Sequence, residues 1–142
     1  MRTFNIDLWQ TLREKTKPVG GASNSLLNGN VFFGIAPAQT ATPYCVMHVL
    51  DSGNDVNSQT LCKKDENYNS VGISDIQFSI YATNDMAIDE IAQELNKLID
   101  SLQNLTEYRI ISSVRQRTKN ASSFTNETGM GFTEYSFKYE NL

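Results

Sequence analysis

Between Ile73 and Leu102 the apolar residues change from every second position to every third or fourth. Ile76, Phe78 and Ile80 alternate with Asp75, Gln77, Ser79 and Tyr81, the period of a strand with one face on a core. Ile88, Ile91, Ala92, Leu95, Leu98, Ile99 and Leu102 then keep the i, i+3, i+4 rhythm of an amphipathic helix. Gln93, Glu94, Asn96, Lys97 and Asp100 cover its other side. Asn84 or Asp85 can cap its start, where Asp85, Asp89 and Glu90 suit the positive end of the helix dipole. A strand and a helix with one apolar face each are stable only when those faces are buried. The pair therefore predicts a helix packed on a sheet.

The rest of the chain fits that plan. A helix is predicted over about Asn5 to Thr16, with Thr3 or Asn5 as its cap. Ile6, Trp9, Leu12 and Arg13 are expected to share a face. Pro18 stops it, and Gly20-Gly21 marks a turn. Val31 to Ile35 reads as a short strand and Tyr44 to Leu50 as a strong one. Tyr44, Val46, His48 and Leu50 alternate with Cys45, Met47 and Val49. Apolar residues on both faces predict a central strand buried on each side. Asp51 to Gly72 reads as a long polar stretch, with a short strand near Gln59 to Lys63. Tyr108 to Thr118 and Phe132 to Tyr139 read as a closing hairpin, with Lys119 to Gly131 as its long polar tip. Helix, strands, long helix and hairpin make an α+β domain, residues 1–142, with a mainly antiparallel sheet.

Composition narrows the function classes. A chain of 142 residues is one domain's worth and buries roughly 70% of its unfolded surface, enough for one ordinary core. Its net charge of −4 argues against a general nucleic-acid binder, which shows a basic excess. No run of about eighteen apolar residues offers a membrane span. The segment Met1 to Asn5 lacks the apolar core of a signal peptide, so the chain is expected to fold where it is made. Cys45 and Cys62 imply no disulfide framework and match no metal spacing. The sequons starting at Asn104, Asn120 and Asn126 matter only on a secretory route and read as chance in an Asn-, Ser- and Thr-rich chain.

Catalytic constellations are not visible. The single histidine, His48, lies three residues after Cys45, and in a strand that spacing sends the two side chains to opposite faces. Asp85 and Asp89 share a helix face, but acids stabilise a helix start without further purpose. Gly129-Met130-Gly131 lacks the Lys-Ser/Thr of a phosphate loop and precedes a strand, so it reads as a turn. No enzyme, metal site or cofactor is expected. The one patterned polar feature is a cationic run. Arg109, Arg115, Arg117 and Lys119 are expected on one strand face with Ile111 and Ser113, opposite Tyr108, Ile110, Ser112 and Val114. The run can grip phosphate, meet an acidic protein or face solvent. With Tyr108 and Tyr135 as stacking rings it can also hold a single nucleic-acid strand.

Three segments together resemble a family. Ile35-Ala36-Pro37-Ala38 leads through Thr42-Pro43 into the strand Tyr44 to Leu50. The strand Asp75 to Ala82 then runs into the helix Asp85 to Gln103, and an N-terminal helix stands in front. The arrangement resembles the tail completion, or tail terminator, proteins of long-tailed bacteriophages, over Ile6 to Gln103 and, more loosely, the last hairpin. The resemblance implies a small α+β subunit that forms a ring, commonly a hexamer, at the head-proximal end of the tail tube. Such a ring stops tube polymerisation and docks the head-tail connector or neck proteins. Genomic DNA passes its channel without specific binding, and an acidic excess there repels phosphate. Another ring-forming neck or head-tail joining protein is the neighbouring alternative. On this reading Arg109, Arg115, Arg117 and Lys119 are candidate inter-subunit or tube contacts. Lys63, Lys64, Asp65, Asn126 and Glu127, in long polar segments able to order on docking, are candidate axial contacts.

Overall fold

The computed structural model describes residues 3–18, 25–54, 71–125 and 128–142, and the side chains of all these except 54, 117–125 and 128. Helix α1 spans Phe4–Thr16. Thr3 caps it, its hydroxyl accepting the Ile6 N–H at 3.3 Å. Strands β1 (Val31–Phe33), β2 (Tyr44–Asn54) and β3 (Gly72–Ala82) follow. Helix α2 spans Asp85–Ser101, and Asn84 caps it by accepting the Ala87 N–H at 2.8 Å. Strands β4 (Tyr108–Thr125) and β5 (Thr128–Asn141) close the chain.

The sheet order is β1-β2-β3-β5-β4. β1 runs parallel to β2, and every other pair is antiparallel. The fold is α+β. Both helices lie on one face of the sheet. Ile88, Ile91, Ala92, Leu95 and Ile99 of α2 join one core with Phe4, Leu8 and Leu12 of α1. Beneath them lie Cys45, Met47, Ile76, Phe78, Ile80, Tyr135 and Phe137. Phe4 stacks on Tyr139 with ring centroids 3.9 Å apart. The buried face of α1 is thus Phe4, Leu8, Leu12 and Thr16, and Ile6 is exposed. The expected Ile6 face was displaced because Phe4 anchors the helix on the aromatic end of β5.

Strand β2 lies between β1 and β3, and Cys45, Val46 and Met47 are buried in succession, so both its faces are buried over that stretch as expected. Helices cover only its Cys45 and Met47 side. The other side carries Tyr44, Val46 and His48 opposite Tyr81, Ser79 and Gln77, and no helix covers it among the described residues. Phe32, Tyr44 and Tyr81 form a row of rings there, with centroids 6.1 and 4.7 Å apart. Those aromatics account for the apolar pattern on the second face.

The closing hairpin is longer than its apolar pattern. β4 and β5 stay paired out to Thr125 and Thr128, where a polar tip from Lys119 to Gly131 was expected. Backbone pairing continues past the core, and hydrophobic period carries no mark of it. The expected short strand at Gln59 to Lys63 lies outside the described residues.

Candidate assembly surfaces

The cationic run lies on β4, the last strand of the sheet. Its alternation is broken twice, by register shifts between Ile110 and Ser112 and between Arg115 and Arg117. Each bulge inserts one residue and moves the following side chains to the other face. The four cations therefore do not form the single-faced stripe that a strict period of two predicts. Arg109 stands opposite Glu140 and forms an ion pair with it. Arg115 is exposed and stands opposite Tyr135, whose ring lies in the helix-side core. Residues 117 and 119 stand opposite Glu134 and Phe132 in the backbone register, and their side chains lie outside the described ones. Lys63, Lys64, Asp65, Asn126 and Glu127 lie outside the described residues.

The aromatic partners proposed for a nucleic-acid strand are committed elsewhere. Tyr135 is buried, and its hydroxyl donates to Asn96 Oδ1 at 2.9 Å. Burial raises its pKa. Tyr108 packs edge-on against Phe4 and Tyr139 at 5.9 and 5.6 Å. Neither ring is placed for a base to stack on it beside the arginines.

Cys45 and His48 lie on opposite faces of β2, as their spacing predicts. Cys45 is fully buried, and desolvation pushes its thiol well above the ordinary range. A thiol held neutral in this way is a poor nucleophile. His48 is half-buried on the open face, in a shallow depression with Ile35, Tyr44, Val46 and Tyr81. The acids of α2 are spread out. Asp89 accepts from Gln93 at 3.0 Å, and Glu94 accepts the Leu26 N–H at 3.1 Å. Among the described residues, no three His, Cys, Asp or Glu side chains converge as metal ligands. An apolar cavity of about 100 Å³ lies where α2 begins, between Leu26, Pro43, Ala82, Ala87 and Ile91. No described helix is long and apolar enough to cross a membrane.

What the molecule offers is surface. The open sheet face carries the Phe32, Tyr44 and Tyr81 rings, with Ile35 beside them and 80% exposed. Leu50 and Val114 are exposed apolar residues on β2 and β4. The alternation of Tyr44, Val46 and His48 with Cys45 and Met47 in β2 was visible in the sequence. That the Tyr44 side faces away from the helices was not, because strand order decides it.

No family model matches the chain, and none of the curated proteins matches it. Its fold is similar to that of a chain in the virion of a native gene transfer agent (GTA) particle. The TM-score is 0.62 at 14% sequence identity, over 96% of this chain and 95% of that chain. At that identity the likeness is one of fold, and it runs essentially end to end.

Proposed function

We propose that this chain is a structural subunit of a phage-like virion, and that it forms the ring that terminates the tail tube. The observation that carries the reading is the end-to-end likeness of fold to a chain of a virion particle. The Ala36-Pro37, Pro43-Tyr44 and Tyr81-Ala82 motifs, in order before the long helix, favour the terminator within that class.

The mechanism is assembly without catalysis. A subunit in a cyclic ring uses two different surfaces, and rotation closes the set. One axial face of the ring copies the stacking surface of the tube, and the other does not, so growth stops there. The second face then docks the connector or neck proteins at the tail-neck junction. Genomic DNA passes through the channel without specific contacts. The ring is a hexamer on this reading, and it needs no cofactor or membrane.

Electron microscopy with and without tail tube protein tests the proposal. The expected result is a sixfold ring that caps tube ends and halts their growth. A monomer under all conditions overturns it. The same fold likeness also supports a neck or head-tail joining ring, and partner choice separates the two. A terminator binds tubes in the absence of connector, and a neck ring binds connector in the absence of tubes.

A further inference from the structure

The sheet ends on two edges that are covered only in part. β4 is the last strand on one side. Asn104 bridges Arg109 at its start, and the Ile110 N–H donates to the Gln103 carbonyl at 2.7 Å. From Ser112 onward no strand pairs with its outer edge among the described residues. On the other side β1 covers β2 only from Cys45 to Met47. Beyond that, the Gly34 N–H donates to the Met47 carbonyl at 2.9 Å. Gly34 adopts φ +80°, a conformation glycine takes without strain, and β1 ends there. From His48 to Asn54 the outer edge of β2 has no strand partner among the described residues. An uncovered edge presents a row of N–H and C=O groups that templates the addition of another strand.

We infer that these two edges pair between copies of this chain. Residues 112–117 of β4 in one copy add to residues 48–53 of β2 in the next, so one sheet runs on through the assembly. The inference deepens the ring reading above by naming the contact that builds the ring.

Register supports this pairing. His48 stands opposite Gln77, Gln77 opposite Glu134, and Glu134 opposite Arg117. Gly53 leads in the same way through Ile73 and Lys138 to Ser112. The two free stretches thus lie at one height on opposite sides of the sheet. Direction agrees as well. β2 and β5 run one way, and β3 and β4 the other. Rotation about an axis along the strands preserves those directions. β4 of one copy therefore meets β2 of the next antiparallel, the slightly more stable ladder.

Charge selects the partner edge. Residues 108–125 carry Arg109, Arg115, Arg117 and Lys119 and no acid. Twofold pairing of β4 with itself about Gln116 sets Arg115 against Arg117, and like charges directly opposite destabilise a ladder. The β2 stretch carries Asp51 and no Lys or Arg. Asp51 leads through Asp75 and Ser136 to Val114, next to Arg115. Contact between two unlike edges is heterologous, and sheet twist turns successive copies toward closure.

Cysteine cross-linking tests the pairing. Ser52 leads through Ser74 and Phe137 to Ser113. In a Cys62→Ser background the remaining native thiol, Cys45, is buried. Ser52→Cys combined with Ser113→Cys is expected to give, on mild oxidation, a covalent ladder that ends at the ring size. Each single variant gives no ladder. Strand tilt shifts pairing in steps of two, so Ile111→Cys and Arg115→Cys are also tested against Ser52→Cys. A ring by native mass spectrometry, with no ladder from any of the three pairs, overturns the edge pairing and leaves the ring reading standing. A ladder with no closed ring supports the pairing and overturns the ring reading. Neither ring nor ladder overturns both.

Discussion

Asp7 is a buried carboxylate in the first turn of α1. Its oxygens accept the N–H groups of Thr106 at 3.2 Å and Glu107 at 2.8 Å, in the segment leading into β4. The contact ties the first helix to the start of the edge strand. Hydrogen bonds to a charged group contribute roughly 1.5–3 kcal/mol each. Asp7→Ala is expected to destabilise the protein by about 3 kcal/mol, read as a fall in the urea midpoint. A midpoint within error of the parent removes the assignment. Nothing in the sequence singles out Asp7. Its partner lies 100 residues further along the chain, and no local pattern announces a contact at that separation.

At the scale of elements, Gly72 shows how a strand can need a missing side chain. It stands opposite Tyr139 at the start of β3, and a Cβ there would run into the Tyr139 ring. That ring is in turn stacked on Phe4. Gly72→Ala must push the ring off its stack, an overpacking change that costs about 1–3 kcal/mol. Tyr139→Ala relieves the clash, so the double variant is expected to lose less than the sum of the singles in a thermal or urea cycle. An additive result refutes the contact. The two helices and the β3 alternation were legible because each follows a local period, and each helix cap was narrowed to two residues, of which the structure uses Thr3 and Asn84. The β4 bulges were not. A bulge alters the period by one residue and carries no composition signal in this polar strand. Strict alternation therefore placed the cations on one face, and the register separates Arg109 and Arg115.

At the scale of the molecule, charge is divided between elements. α2 carries Asp85, Asp89, Glu90, Glu94 and Asp100 against Lys97, whereas β4 is wholly cationic. The helix layer therefore holds the main acidic run, and the open sheet face mixes Asp75 and Glu134 with Lys138 and the Arg109–Glu140 pair. If a ring forms through the β4 edge, its cations belong to subunit contacts. Arg115→Glu combined with Arg117→Glu is expected to weaken ring assembly by about tenfold or more without changing the fold. Sedimentation and circular dichroism of the same sample check both parts. Unchanged assembly detaches these arginines from the interface.

The sequence by itself determined the fold class, both helices with two candidate caps each, and the opposite faces of Cys45 and His48. Each follows from spacing along the chain, which the backbone converts into direction. Only the tertiary structure decided which face of β2 the helices cover, where the Asp7 carboxylate is used, and which stretches of strand edge have no strand partner. Those depend on strand order and on contacts between residues far apart in the chain. Neither is written in any local period, because burial is a property of what lies opposite and not of the strand alone.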